Sequence, residues 1–431
     1  MDDPAIRGGT ARRRRERPVA TSSKLATPDA AVPGSNDLAG QLAEFLREHN
    51  DELIEFRRDV HAHPEIAFSE HRTTEKIAER LTDAGLTPHP LSRGTGLWVD
   101  LGRDEGPTVA LRADIDALPM EDEKDVPYRS TNPNACHACG HDVHTAIVVG
   151  AGLFLASQAD AGALPGRVRL IFQPAEEVAG GALEVMRDGG LTEVDRIFAV
   201  HCDPRLDVGH VGLRTGPITG SCDSLRIRVA GPGGHTARPH LTVDLVYALS
   251  KIVTELPAAL SRRVDPRSSL SLVWGQISAG SVANAIPDVG VAQGTVRSLD
   301  EDAWHQAPDL VKALLDSVAG AYGVDAEIDY RRGTPPTVNE ATSIQMLHDA
   351  VTQIIGEGAA VPTPQSLGGE DFSWYLESVP GALARLGTRP VGAVDEVDIH
   401  RPQFDVDERA IGIGVKVLAA TALTALWGGA R

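Results

Sequence analysis

Three short apolar runs each end in ionisable side chains, and no other feature of the 431-residue chain constrains its fold as much. Thr108-Val-Ala-Leu111 runs into Arg112-Ala-Asp114-Ile-Asp116. Val168-Arg-Leu-Ile-Phe172 runs into Gln173-Pro-Ala-Glu176-Glu177, and Arg196-Ile-Phe-Ala-Val200 runs into His201-Cys202-Asp203. Small-residue stretches of helical character, such as Thr145 to Ser157, lie between them. Short apolar strands alternating with helices predict a mostly parallel α/β sheet. Ligands bind such sheets outside the carboxyl ends of the strands. Three strand ends rich in ionisable groups therefore predict one shared site.

Elsewhere the periodicity changes. Leu42, Phe45, Leu46, Leu53, Phe56 and Val60 recur at helical spacings and predict a helix from about Leu38. Ile77 and Leu81 predict a second from Thr73. Ser224 to Val229 alternates apolar and polar residues, as a half-buried strand does. A helix follows over about 243–260, strands over 269–277 and 289–299, a helix over 303–321 and a strand over 326–330. That β-α-β-β-α-β order is the split βαβ pattern. It predicts a small α+β domain at 214–331, inserted into a domain built from 37–213 and 332–431. Gly-rich joins lie near Gly209–Gly220 and Arg331–Pro336.

Residues 1–36 carry a net charge of +3 against −22 for the rest, and include the run Arg12–Arg15. With the Pro/Ser/Ala-rich stretch that follows, they predict a disordered, solvated basic leader. The net charge of −19 argues against general affinity for nucleic acid or for anionic membranes. Four cysteines are too few for a disulfide scaffold and predict a reducing, cytoplasmic setting. No apolar run approaches the ~20 residues of a spanning helix.

The densest chemistry lies in Cys136-His-Ala-Cys139-Gly-His141-Asp-Val-His144. Thiolate and imidazole together suit zinc and similar borderline metals. A C-x-x-C pair can also serve redox chemistry, but no thioredoxin-like context surrounds this one. A structural zinc site would want a second ligand pair nearby, and none follows. Glu176 and Glu177 sit side by side after an apolar strand. On extended backbone they would point to opposite sides, one toward a metal and one toward substrate.

Together these residues resemble the dinuclear-metal aminoacylase and carboxypeptidase superfamily, most closely its amidohydrolase branch of hippurate and auxin-conjugate hydrolases. The resemblance spans the chain after about residue 38. It is carried by His61-Ala-His-Pro-Glu65, Leu111-Arg-Ala-Asp-Ile-Asp-Ala-Leu-Pro119, His137-Ala-Cys-Gly-His-Asp142 and Phe172-Gln-Pro-Ala-Glu-Glu177. Four later motifs add to it: Gly233-Gly-His-Thr-Ala-Arg-Pro-His240, Asn284-Ala-Ile-Pro-Asp288, Gly294-Thr-Val-Arg297 and Gly368-Gly-Glu-Asp-Phe372.

The resemblance implies a zinc-exopeptidase-like α/β catalytic domain, with a mostly parallel sheet flanked by helices, and a ferredoxin-like (βαββαβ) lid through which two chains form a homodimer. It implies two divalent metal ions held by Cys139, His141, Glu177, His201 and His400, with Cys139 bridging. Zinc suits these ligands, with manganese, cobalt and nickel as alternatives. Glu176 would be the general base, and Asp114 would orient a ligand imidazole. His235 would donate to the oxyanion, in its own site or the partner's. Asn284, Arg297 and Gly368 would contact substrate, although Arg297 could equally form a structural ion pair. The wider superfamily has a ligand His where this chain has Arg112. The implied reaction is hydrolysis of N-acyl or aryl-acyl amino acids to a carboxylate and a free amino acid. A dipeptidase or carboxypeptidase is the alternative, and a non-catalytic metal-binding dimer a further one.

Overall fold

A computed structural model of the protein describes residues 37–393 and 397–429. The basic leader expected at 1–36 lies outside them. Eight strands form the larger sheet, in the order His89–Pro90, Leu97–Gly102, Arg167–Gln173, Thr108–Asp114, Arg196–Asp207, Gly381–Arg389, Val211–Leu213 and Ala360–Pro362. The central strands run parallel: Thr108–Asp114 pairs so with Arg167–Gln173 on one side and Arg196–Asp207 on the other, and the last of these with Gly381–Arg389.

Alternation along these strands divides the core. Val109, Leu111, Val168, Leu170, Phe198, Ala382 and Ala384 face one layer, with the helices Leu38–Ala62, His141–Asp160 and Arg409–Gly429. Ala110, Ile171, Ile197, Ala199 and Leu383 face the other, against Phe372 and Tyr375. Burial on both faces is why the strands read as unbroken apolar runs.

Two of the helices differ from the sequence expectation. His141–Asp160 and Arg409–Gly428 are long and apolar enough, by length and composition, to cross a membrane. Their apolar stretches are 83% and 78% buried inside the protein, as in core helices covering a sheet. Interspersed Gly, Ala and Thr kept them from reading as apolar runs.

A second, antiparallel sheet has the order Ser271–Ala279, Val289–Arg297, Cys222–Ala230, Asp325–Thr334. Helices Leu245–Leu260 and Glu301–Tyr322 cover one face, and Leu225, Ile227, Leu249, Ile252, Val311 and Leu315 fill a core of its own. The chain order is β-α-β-β-α-β. Its helices start where the sequence supplies caps: the side chain of Asp244 accepts from Tyr247 N, and that of Asp300 from Ala303 N.

Glu340 caps the helix Ala341–Ile354 by accepting from Ser343 N, and it pairs with Arg196 Nη1 at 2.5 Å. Burial alone would raise its carboxyl, but the hydrogen bonds to Ser343 and Thr342 outweigh burial and hold it down at about 2. A lowered acid stabilises the fold above its unfolded value and loses that contribution as pH falls through the folded one. Glu340→Ala is therefore expected to cost ~1 kcal/mol at pH 7. Urea melts of wild type and variant should converge as pH falls from about 4.5 toward 2. A gap that persisted at the acid end would refute the cap.

Candidate active site

The site forms where the strand ends of the larger sheet meet the start of helix His141–Asp160. Gly140 precedes that helix with φ +87°, and a Cβ there would come within 2.7 Å of Cys202 Sγ. Only glycine serves at this point of Cys139-Gly140-His141. The first turn is clamped from behind: Asp142 accepts from Arg57 Nε at 2.5 Å and pairs with His61 Nδ1 at 2.7 Å. Two of the sequence motifs are thereby structural supports for one helix start.

Each histidine is oriented by its partners. His141 Nδ1 lies 2.9 Å from the Asp116 carbonyl, which leaves Nε2 buried with no hydrogen-bond partner. His201 Nδ1 lies 2.8 Å from the Cys202 carbonyl, and its Nε2 is 3.5 Å from Cys139 Sγ. Burial and the positive charge of Arg385 hold the His201 imidazole well below its usual range, hence neutral. His400 is tethered by its backbone N to the Ala138 carbonyl, and its Nε2 is 3.4 Å from Glu177 Oε1.

Asp114 lies between two imidazoles, its Oδ2 3.6 Å from His141 Nε2. It holds His144 Nδ1 at 2.6 Å, and His144 Nε2 in turn accepts from Cys202 N. The Nδ1 side of His141 is held by Asp116 instead, because that residue follows the strand end and turns back toward the helix.

Glu176 and Glu177 depart from expectation. They sit in a turn, not on extended backbone, and Ala175 before them has φ +53°. Their carboxylates converge: Glu176 Oε2 and Glu177 Oε1 each lie 4.0 Å from His141 Nε2. Buried Glu70 fixes the turn by accepting from Ala175 N at 2.8 Å and from Phe68 N at 2.9 Å.

The candidate donor atoms form two triplets that could hold a metal ion, Cys139–His141–His201 and Cys139–Glu177–His400, with the atoms of each within 4.8 Å of one another. Cys139 belongs to both. Two further groupings, His141–Glu176–Glu177 and Asp114–His141–His144, overlap the first through His141. These donors suit divalent cations: the His141 Nε2 nitrogen is orphaned beside two carboxylates, and burial with the charge of Glu177 pushes the Cys139 thiol well above its usual range. A bound cation supplies the positive charge that a buried thiolate needs. Burial also raises Glu176 well above the ordinary carboxyl range, with Glu370, Asp371 and Glu177 adding to it.

Arg112 stands where the wider superfamily has a ligand histidine, and it is buried. Its guanidinium reaches Asp114 at 2.5 Å, Glu370 at 3.2 Å, Asp371 at 3.1 Å and Gln173 at 3.0 Å. It serves as the counter-charge of a carboxylate cluster under the site.

A cleft of about 350 Å³ opens above these groups, lined by Cys139, Glu176, Glu177, His201 and His400, and further out by Arg297 and Gly368. Arg297 donates through Nη1 to the Leu367 carbonyl. His235 and Asn284 do not line the cleft: both are exposed, His235 on a two-strand ribbon (Gly234–His235 with Ala285–Ile286) and Asn284 just before it. Cys136 is buried beside Lys124 Nζ and also stands outside the cleft, its thiol pushed up to about 11 by burial. The pattern of the sequence left Glu70, Asp116, Glu370 and Arg385 without a role, for their relation to the site exists only in three dimensions.

Residues 110–424 match the family described as Peptidase family M20/M25/M40. The N-acetyl-L-cysteine deacetylase of Bacillus subtilis is 38% identical over 365 residues, 84% of this chain and 85% of that protein. A Rhodococcus jostii protein named for glutamate–cysteine ligase is 46% identical over 85% of this chain, but the chain spans only 46% of that relative's length. Among solved structures, a dinuclear metal-binding peptidase of the M20 family from Bacillus subtilis aligns with a TM-score of 0.77 and 33% identity, covering 88% of this chain and 99% of its own.

Proposed function

The chain belongs to peptidase family M20/M25/M40, and on that premise we propose that it is a metal-dependent amidohydrolase releasing free amino acids from N-acyl amino acids. The observation that carries this reading is the pair of ligand triplets sharing Cys139, with Glu176 beside them in one cleft. The deacetylase relative and the dinuclear M20 neighbour support the same chemistry. One ion would be held by Cys139, His141 and His201, the other by Cys139, Glu177 and His400. Zinc suits a thiolate and three imidazoles best. Such ions supply an acidified water and a Lewis acid for the amide carbonyl.

The remaining work falls to side chains. Glu176 takes the proton of the attacking water and returns it to the nitrogen of the departing amino acid. His144 and Asp114 hold the strand end that carries His201. Gly368 lines the entrance to the cleft.

The reading includes a homodimer formed through the smaller sheet. Its edge strand Ser271–Ala279 exposes Val273 and Ile277, and His235 and Asn284 lie outside the chain's own cleft. His235 then serves the partner's site, as an oxyanion donor. Mixing Glu176→Ala chains with His235→Ala chains, each inactive alone, is expected to restore roughly a quarter of wild-type turnover, because half the dimers are mixed and each has one complete site. No recovery after verified subunit exchange would place His235 outside that role.

The hydrolase reading is tested with a panel of N-acyl amino acids and dipeptides on metal-stripped protein given Zn, Mn, Co or Ni. Metal-dependent release of amino acid is expected, with the acyl substrates ahead of the dipeptides. No turnover with any metal, despite two tightly bound ions, would overturn it.

A further inference from the structure

One charged side chain in the cleft has no counterpart in the reading so far. Arg385 lies on strand Gly381–Arg389, paired in register with His201 on the neighbouring strand. Strand alternation puts both on the sheet face of Ala199 and Leu383. Arg385 is 8% exposed and lines the cleft with Cys139, His201 and Glu176. Among the described residues its guanidinium makes no hydrogen bond and no ion pair, alone among the buried arginines. Buried Arg57, Arg112 and Arg169 each bind at least one carboxylate.

The acids nearest to it are already engaged. Asp203 is taken by Arg205, through Nε at 2.9 Å and Nη2 at 2.9 Å. Glu370 Oε1 accepts from Arg112 Nη2 at 3.2 Å and from Phe372 N at 3.0 Å. A guanidinium that lines the cleft with no partner from the chain leaves its donors for an anion that enters there. Arg297, by contrast, is partly exposed and already donates to the Leu367 carbonyl. The fork of a guanidinium matches a carboxylate with two parallel bonds.

We propose that Arg385, not Arg297, binds the free carboxylate of the substrate and so restricts the enzyme to acyl amino acids with an unblocked acid. This rests on the amidohydrolase reading above. The step is binding only, and no bond is made or broken by Arg385.

The test compares N-acetyl-L-methionine with its primary amide, in wild type, Arg385→Gln and Arg385→Lys. Arg385→Gln is expected to raise KM for the acid ~10–100-fold, with kcat changed far less, and to leave the acid no better bound than the amide. Arg385→Lys keeps the charge without the fork and should fall between. Metal content is measured in parallel, since Arg385 adjoins His201. Calorimetric titration of both compounds into metal-loaded Glu176→Gln protein, with and without Arg385→Gln, gives a readout that needs no turnover. Binding of the acid should weaken ~10-fold or more with the second change. Equal weakening of acid and amide, or a fall in kcat alone, would overturn the proposal while leaving the hydrolase reading intact. Carboxylate-dependent binding lost with Arg385→Gln, in a protein that hydrolyses neither compound, would uphold Arg385 and refute the hydrolase reading. Neither binding nor turnover would refute both.

Discussion

Glu176→Ala is expected to lower kcat by ~10²–10⁴-fold, the usual contribution of a positioned general base, with the metal content unchanged. The carboxyl lies 4.0 Å from His141 Nε2 in a cleft wall, and its neighbours Glu370, Asp371 and Glu177 favour its protonated form once a proton has been taken. In the proposed reaction it would hold a proton between attack and departure of the amine. Glu177 belongs to a ligand triplet with Cys139 and His400, so Glu177→Ala should instead reduce metal content along with turnover. The two variants separate roles that adjacent identical residues would otherwise blur. The check is amino-acid release against metal content by elemental mass spectrometry. Normal turnover in a fully loaded Glu176→Ala protein would end its assignment as base.

The second large effect is expected at Cys139. Both ligand triplets contain its sulfur, so Cys139→Ala removes one donor from each position at once. Structural zinc sites depend steeply on every ligand, with total binding free energies of ~10–16 kcal/mol. Loss of a shared ligand should therefore lower occupancy at both positions and abolish turnover within detection. Cys139→Asp, which keeps a bridging anion of harder character, should recover part of the occupancy. His201→Ala and His400→Ala serve as controls, because each lies in one of the two triplets that share Cys139. Cys139→Ala protein that kept full metal content would show that the sulfur is not a ligand.

The parts of this architecture legible in the sequence share a physical cause. A central parallel strand is buried on both faces, so it reads as an apolar run, and its end reads as a change to charge. The strands ending at Asp114, Gln173 and the His201 segment were visible for that reason. Strand Gly381–Arg389 was not, because Gly-Ala-Leu-Ala-Arg-Leu-Gly is small and interrupted by a cation. The interruption is Arg385 itself, so the residue of greatest interest hid its own strand. Helix Arg409–Gly429 escaped for a related reason: buried on most sides, it lacks the polar face that marks a surface helix. Within the site, dense Cys/His spacing signalled donors, but spacing could not tell His141, whose Nε2 is free, from His144, whose two nitrogens are both engaged. Nor could it show that Ala175 turns left-handed and brings two adjacent carboxylates to one side.

Arg112 has a consequence for descent. In codon terms arginine and histidine are neighbours, so one step could place the superfamily's ligand histidine here. The fold penalises that step in isolation. Arg112→His would strip the counter-charge from Asp114, Glu370 and Asp371 together, all of them buried, at a cost of ~3–5 kcal/mol before any ion could be gained. Most domains have only ~5–15 kcal/mol to lose. The acids must change first or with it. Exchange at Arg112 alone would thus cost a large part of a typical domain's stability, because one guanidinium balances three buried acids.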